Sequence, residues 1–232
     1  MKRHMLIVCA ALIGFVVQPA RVQAGEVYIG GQLIGTALDN NFGGFNTAGS
    51  FSNDDSVDKT LVGIALTFGL RDQFKLGNMA ITPEIEAVWY PNYNISSASF
   101  PGAPNPLFTY RSKVKTGRLG LNIWSSFYDS NLWRAEAGAG LGVLYRDFKT
   151  TDGVVSGSGD DFALYGKLGV RLLRQVGQRG KLTLGAGYIA STKTNVSLTR
   201  IGPGIPAGNL SVKTSGPEIS IGYQFSLGNS GN

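Results

Sequence analysis

Cysteine and histidine are nearly missing from this chain of 232 residues: there is one of each, Cys9 and His4, both within the first two dozen positions. From Gly25 to Asn232 there is neither, which excludes disulfide staples, thiolate or imidazole metal ligation and histidine-based acid–base chemistry in that stretch. Charge is scarce as well, at 16% of residues against roughly 25% in soluble domains. The longest apolar stretch, Met5 to Val17, is too short for a membrane helix, which takes about 18 or more apolar residues. Its basic start (Lys2, Arg3, His4) and the small-residue site Val22-Gln23-Ala24 predict a secretory signal peptide over 1–24, with 25–232 as the mature chain. Losing Lys2, Arg3 and Arg21 takes the net charge from +6 to +3, which gives no reason to expect a nucleic-acid partner.

What is plentiful is glycine, 33 residues of 232, about twice the usual ~7%, and it follows no collagen period. The dominant pattern is period two. From Lys59 to Arg71, Val62, Ile64, Leu66, Phe68 and Leu70 alternate with Gly63, Ala65, Thr67 and Gly69. From Trp133 to Tyr145, apolar odd positions alternate with Arg134, Glu136, Gly138, Gly140 and Gly142. A face of glycine and charge opposite a greasy face is a strand between a narrow interior and an apolar exterior. Six further segments fit: Glu26 to Ala37, Met79 to Tyr90, Tyr110 to Phe127, Asp161 to Leu173, Lys181 to Ala190 and Val212 to Leu227. In the fourth strand Trp124 shares parity with Arg118 and Asn122 rather than with Leu119 and Leu121, so a bulge is expected there.

Connections between these strands alternate in length. Long ones are expected at Leu38 to Asp58, Pro91 to Thr109, Asp147 to Asp160 and Ser191 to Ser211, short ones at Arg71 to Asn78, Tyr128 to Leu132 and Arg174 to Gly180. Short inner turns, long outer loops and aromatics at strand ends are the marks of an outer-membrane barrel. The chain therefore resembles the eight-stranded outer-membrane barrels of the OmpA/OmpX type, over essentially all of its mature length. The resemblance implies an all-β fold, a single eight-stranded antiparallel up-and-down transmembrane barrel, in the outer membrane of a Gram-negative bacterium. It also implies that Ile219, Ile221, Tyr223 and Phe225 form the aromatic-ended signal read by the barrel-assembly machinery, although seven residues follow Phe225 here.

Gly138 to Gly142 is not a phosphate-binding loop, because the alternation runs on through Val143 and Tyr145 instead of opening a helix. Packing glycines in a narrow interior are the expectation. The inward charges Glu84, Glu86, Glu136 and Glu218 balance Arg118, Arg134, Lys167 and Arg171, which predicts a mutually neutralising lumen network with Glu136 and Arg171 as its first pair. Asp54, Asp55 and Asp58 lack the ligand spacing of a calcium loop, and no cofactor or metal is expected. Phe42, Phe45, Phe51, Phe100 and Phe108 fall in expected outer loops, where they either contact a partner or lipopolysaccharide or pack on one another. The expected partners are outer-membrane lipid and lipopolysaccharide, the assembly machinery, and an extracellular ligand or host surface. The functional expectation is a non-enzymatic structural or surface-interaction protein; a narrow channel is the first alternative and a lipid-modifying envelope enzyme the second.

Overall fold

The computed structural model describes residues 25–46, 49–52, 57–76, 79–99, 108–202 and 204–228. The expected signal peptide over 1–24, Asp54, Asp55, Phe100 and the side chains of Phe51 and Phe108 lie outside the described residues. Twelve strands are present among the described residues: β1 (Glu26–Asn46), β2 (Gly49–Ser52), β3 (Val57–Arg71), β4 (Phe74–Leu76), β5 (Met79–Trp89), β6 (Tyr93–Ser99), β7 (Phe108–Asp129), β8 (Trp133–Thr151), β9 (Val155–Val176), β10 (Gly180–Ser191), β11 (Thr194–Arg200) and β12 (Pro206–Ser226). Eight of them, β1, β3, β5, β7, β8, β9, β10 and β12, form an antiparallel ring that closes where β1 pairs with β12, from Tyr28 opposite Ser226 to Asn46 opposite Gly208. Closure leaves no unpaired edge, the condition for β structure to cross lipid.

The alternation fixes which side each residue takes. On β3, Leu61, Ala65, Thr67 and Arg71 are buried inside, whereas Val62, Ile64, Leu66 and Phe68 stand on the outer wall. On β12, Ile219, Ile221, Tyr223 and Phe225 likewise face outward, while Glu218 and Gln224 are buried. Trp89, Gly117, Tyr145 and Phe162 are successive partners across β5, β7, β8 and β9, so three aromatics share one rung at the upper rim of the apolar wall. Tyr145 and Phe162 touch, with ring centroids 5.3 Å apart. Phe127, Tyr128 and Trp133 ring the lower rim. From Trp133 to Tyr145 the tilted strand climbs about 30 Å, the thickness of a bilayer's hydrocarbon core.

The strands run well past the boundaries that the sequence predicts. Asp147 to Asp160 is not a long loop: β8 and β9 continue as a ladder to Thr151 opposite Ser156, joined only by Asp152 to Val154. β1 likewise reaches Asn46, and β6 and β11 extend the ring above β5 and β10. The cause is a change of surroundings outside the wall. Above the aromatic rung the outer face meets water, so the outward residues turn polar and the sequence takes on a loop-like composition. The inward residues Phe148, Val155, Val196 and Leu210 keep alternating and stay buried. Phe42 is corrected by the same extension: it lies within β1, buried against the upper core rather than in a loop. The expected bulge sits one turn of the pleat further on, where the β7–β8 register shifts between Ser126 and Tyr128, and Trp124 points inward on an unbroken ladder.

Candidate functional site

The barrel interior divides into a charged lower half and an apolar upper half. In the lower half all eight charges named from the sequence are buried and ion-paired, in two clusters. In one cluster Arg171 on β9 reaches Glu136 on β8 through Nε at 2.6 Å and Glu84 on β5 through Nη1 at 2.6 Å. Glu136 also accepts from Arg134 Nε at 2.7 Å, and Arg134 continues to Asp72 and, at 3.2 Å, to Asp129. Tyr28 donates to Glu84 at 2.6 Å and Trp124 Nε1 does so at 3.0 Å. The Arg171 guanidinium lies 4.2 Å from the Trp124 ring centroid, a cation–π stack.

The second cluster is a closed square of alternating sign. Arg118 on β7 binds Glu86 on β5 at 3.1 Å and Glu218 on β12 at 2.6 Å, and Lys167 on β9 binds the same two carboxylates at 2.8 and 3.0 Å. These four strands are spread around the ring, so the square ties opposite walls together across the lumen. Below both clusters Arg71 binds Glu26 at 3.2 Å and Gln224 at 2.6 Å, joining the neighbouring strands β3, β1 and β12. Asp72, in the turn after β3, is pushed up by partial burial, but the hydrogen bond and charge of Arg134 outweigh this and leave its carboxyl below the ordinary range.

Sequence reasoning missed Arg71, Glu26, Asp72, Tyr28 and Trp124 as members of this network. Arg71 shares inward parity with Thr67 and Gly69, so the signal was present but lay at a strand end, where parity is easily taken for a turn. Trp124 shares the parity of Arg118 and Asn122 but reads as the mark of a bulge, and nothing in the sequence singles out Tyr28, because composition does not reveal that a carboxylate waits opposite them.

The glycine run on β8 is explained by the same interior. A methyl group at Gly138 would overlap Trp124, one at Gly140 would overlap Asn122, and one at Gly142 would overlap Tyr165 and the backbone of Leu119. The bare strand makes room for the bulky polar residues of its neighbours.

The upper half is filled by Ile34, Leu38, Phe42, Val114, Phe148 and Leu210 among others, in one continuous apolar cluster. Arg146 enters it from β8, fully buried, and donates to Thr194 Oγ1 at 3.1 Å, Ser191 Oγ at 3.2 Å and the Val212 carbonyl at 3.3 Å. The pockets in this interior include one of about 20 Å³ beside Glu84, Lys167 and Arg171 and one of about 10 Å³ beside Tyr93, Arg118 and Arg146. Each has room for roughly one water molecule. The lower carboxylates are each held by at least one cation, an arrangement that neutralises their charge.

Phe45 is half-exposed near the top of β1, and Ile219, Ile221, Tyr223 and Phe225 lie on the lipid side of β12. No protein-family model matches the chain, and no curated protein matches it. Solved structures do. It is similar to the outer membrane protein OprG from Pseudomonas aeruginosa, with 15% identity over 89% of this chain and 97% of that one and a TM-score of 0.52. It is similar also to the outer membrane protease OmpT from Escherichia coli, with 10% identity over 90% and 99% and a TM-score of 0.51. A major outer membrane protein from Thermus thermophilus aligns with 10% identity over 84% and 99% and a TM-score of 0.50. At such identities the likeness establishes the fold alone: the chain is an eight-stranded antiparallel β-barrel built like those of outer-membrane proteins.

Proposed function

We propose that this protein is a closed, non-conducting scaffold of the Gram-negative outer membrane, which works through the part of its wall that stands above the lipid. The observation that carries this reading is the filled interior: ion clusters below, an apolar core above, and pockets between them of about 20 and 10 Å³. A water-filled pathway for ions needs a continuous polar route, and the upper core interrupts it. The lower network then serves as filling that pins the register of eight strands. Buried ion pairs add little net stability over apolar packing, yet a mispaired register would leave them uncompensated. Outer-membrane lipid and an extracellular ligand are the partners of the extended wall. The lipid-facing end of β12 is the segment that the assembly machinery reads.

Planar-bilayer recording of the refolded barrel tests the scaffold against the channel. No stable conductance steps are expected at moderate voltage. Reproducible ohmic steps like those of a general porin would overturn the closed reading.

A further inference from the structure

Among the described residues the buried cations Arg71, Arg118, Arg134, Lys167 and Arg171 are all ion-paired, and Arg146 is not. It lies one residue above the aromatic rung, where the charged lower half of the lumen gives way to the apolar core. Its hydrogen bonds go to neutral groups, the hydroxyls of Thr194 and Ser191 and the Val212 carbonyl, which supply dipoles but no counter-charge. Along the ladder the carboxylate directly opposite is Asp161 on β9. Its two oxygens accept from the backbone N–H groups of Phe162 at 2.8 Å and Asn195 at 3.0 Å, and no ion pair joins it to Arg146.

Arg146 lines the pocket of about 10 Å³ together with Arg118, Tyr165, Tyr90, Leu144 and Ser191 among others, and these side chains are all buried. Arg118 stands opposite Leu144 on the β7–β8 ladder, and Arg146 follows two residues later on the same inward face, so the two guanidinium side chains start from adjoining positions. A second, independent set of atoms belongs to the same pocket wall. Arg118 makes both of its ion pairs through Nη2, and its Nε and Nη1 are buried without a hydrogen-bond partner among the described residues. The Tyr165 hydroxyl on β9 is buried without one as well, and the centroid of its ring lies 5.5 Å from the Arg118 guanidinium carbon. Buried polar atoms in native proteins are paired in all but a few cases, and those left over by the protein call for a water or an ion. One pocket thus collects a cation with no counter-ion and orphaned donors on two further side chains.

We infer that this pocket binds one monatomic anion, a halide such as chloride, seated between Arg118 and Arg146. Size selects the class of ligand. A pocket of about 10 Å³ holds a single particle of roughly water's dimensions, so carboxylates, phosphates and sulfate do not fit. Chemistry then separates the halide from water. A water molecule brings two hydrogens of its own to a wall whose unmet groups are N–H and O–H donors, and it leaves the Arg146 charge standing. A halide only accepts, and it supplies negative charge where an unpaired buried cation is costly. The square of Arg118, Lys167, Glu86 and Glu218 is neutral in itself, so one monovalent anion offsets Arg146 without disturbing it. The inference rests on the filled interior of the scaffold reading and adds a ligand within it.

The test uses the whole mature barrel refolded in neutral maltoside micelles, with heat-modifiable gel migration showing that it is folded. Sodium bromide replaces sodium methanesulfonate, whose anion is too bulky for the pocket, at constant ionic strength, and reversible urea unfolding is measured at each step. With one bound bromide, each tenfold rise in bromide above saturation should raise the folding equilibrium constant about tenfold. R146M, which removes the charge and keeps an unbranched side chain, should show no such dependence. Y165F should need about tenfold more bromide for the same gain, the worth of one hydrogen bond to a charged group. K113Q, which removes an exposed lysine on the outer face of β7, should respond like the parent. In crystals grown from bromide, anomalous scattering at the bromine edge should place one ion between Arg118 and Arg146. A parent whose stability ignores bromide, an equal response in R146M, or anomalous peaks only elsewhere would overturn the inference. Should R146M fail to fold, Y165F decides, and an unchanged bromide response in that variant overturns it. Conductance steps would sink the scaffold reading without touching these results.

Discussion

Removing Arg171 and removing Glu136 are not equivalent, although the two residues form one buried pair at 2.6 Å. Arg171 is the bridge between Glu136 and Glu84, so Arg171→Ala leaves two buried carboxylates with a single cation, Arg134, which touches only Glu136. Glu84 keeps hydrogen bonds from Tyr28 and Trp124 but loses its only ion-pair partner among the described residues. That is the uncompensated case, expected to cost ~3 to 5 kcal/mol. Glu136→Ala is milder, because Arg171 retains Glu84 and the Trp124 ring, and Arg134 retains Asp72 and Asp129. About 2 kcal/mol is expected there, mostly the lost charge-assisted hydrogen bonds. In the double variant Glu84 is still orphaned, but Arg134 no longer has to share. The coupling energy should be ~1 to 2 kcal/mol, less than a bare pair would give, because each partner has a second contact. Reversible urea unfolding in thin-lipid vesicles, followed by tryptophan fluorescence, measures all four corners of the cycle. The reasoning fails if Glu136→Ala costs more than Arg171→Ala, or if the two losses simply add.

Two further outcomes follow from the structure. Gly142→Ala places a methyl group against Tyr165 and the β7 backbone and should cost on the order of 1 to 3 kcal/mol, whereas Gly31→Ala meets nothing within 4 Å and should be neutral or gain up to about 1 kcal/mol in the same unfolding assay. Asp72 has a positive φ of 54°, which asparagine also tolerates, so Asp72→Asn isolates the charge in its bond to Arg134. Because the folded carboxyl lies below its ordinary value, its contribution is fully present above that value and is lost as pH falls through the lower folded one. The parent should therefore be modestly more stable than Asp72→Asn at pH 7 and equal to it in strong acid; a gap that persists in acid would mean the carboxylate is not the cause.

How much of this molecule could be read from its sequence depends on what each side of the wall touches. Within the membrane both faces are informative. Lipid outside demands Ile64, Leu66 and Phe68, the crowded lumen demands Gly63, Ala65 and Thr67, and the contrast sets strand and parity without ambiguity. The eight lumen charges stand out for the same reason, since nothing but an interior neutralised by opposite charge explains Glu136 among small residues. Above the rung the contrast weakens. Lys149, Thr151, Ser156 and Ser158 are what either a loop or a water-facing strand would show, and only the buried partners Phe148, Thr150 and Val155 betray the ladder. Apart from Glu136 and Arg171, which face each other on neighbouring strands, which side chain meets which carboxylate across the lumen was not legible. The stagger of the ring brings Tyr28 of β1 to Glu84 of β5, two strands away, and no spacing in the sequence encodes it.

The division of the interior follows from the same two surroundings. In the lower half the wall is surrounded by hydrocarbon, so the apolar residues are committed to the outside and only small or polar ones remain for the lumen. Charges of both signs fill that space because their long side chains span it, and pairing keeps each from standing alone in a medium of low dielectric. In the upper half the outside is water and polar residues take the outer face, which frees Ile34, Phe42, Phe148 and Leu210 to build an ordinary hydrophobic core. The barrel is thus inverted in the membrane and conventional above it. A wall whose upper half carries its own core does not need lipid to hold that half together. The upper ladder of β8 and β9 should therefore be the most protected backbone outside the membrane, and amide exchange in micelles should show Phe148 and Val155 exchanging as slowly as the lipid-embedded rungs. Fast exchange at those two residues would mean that the upper core does not hold the extended wall.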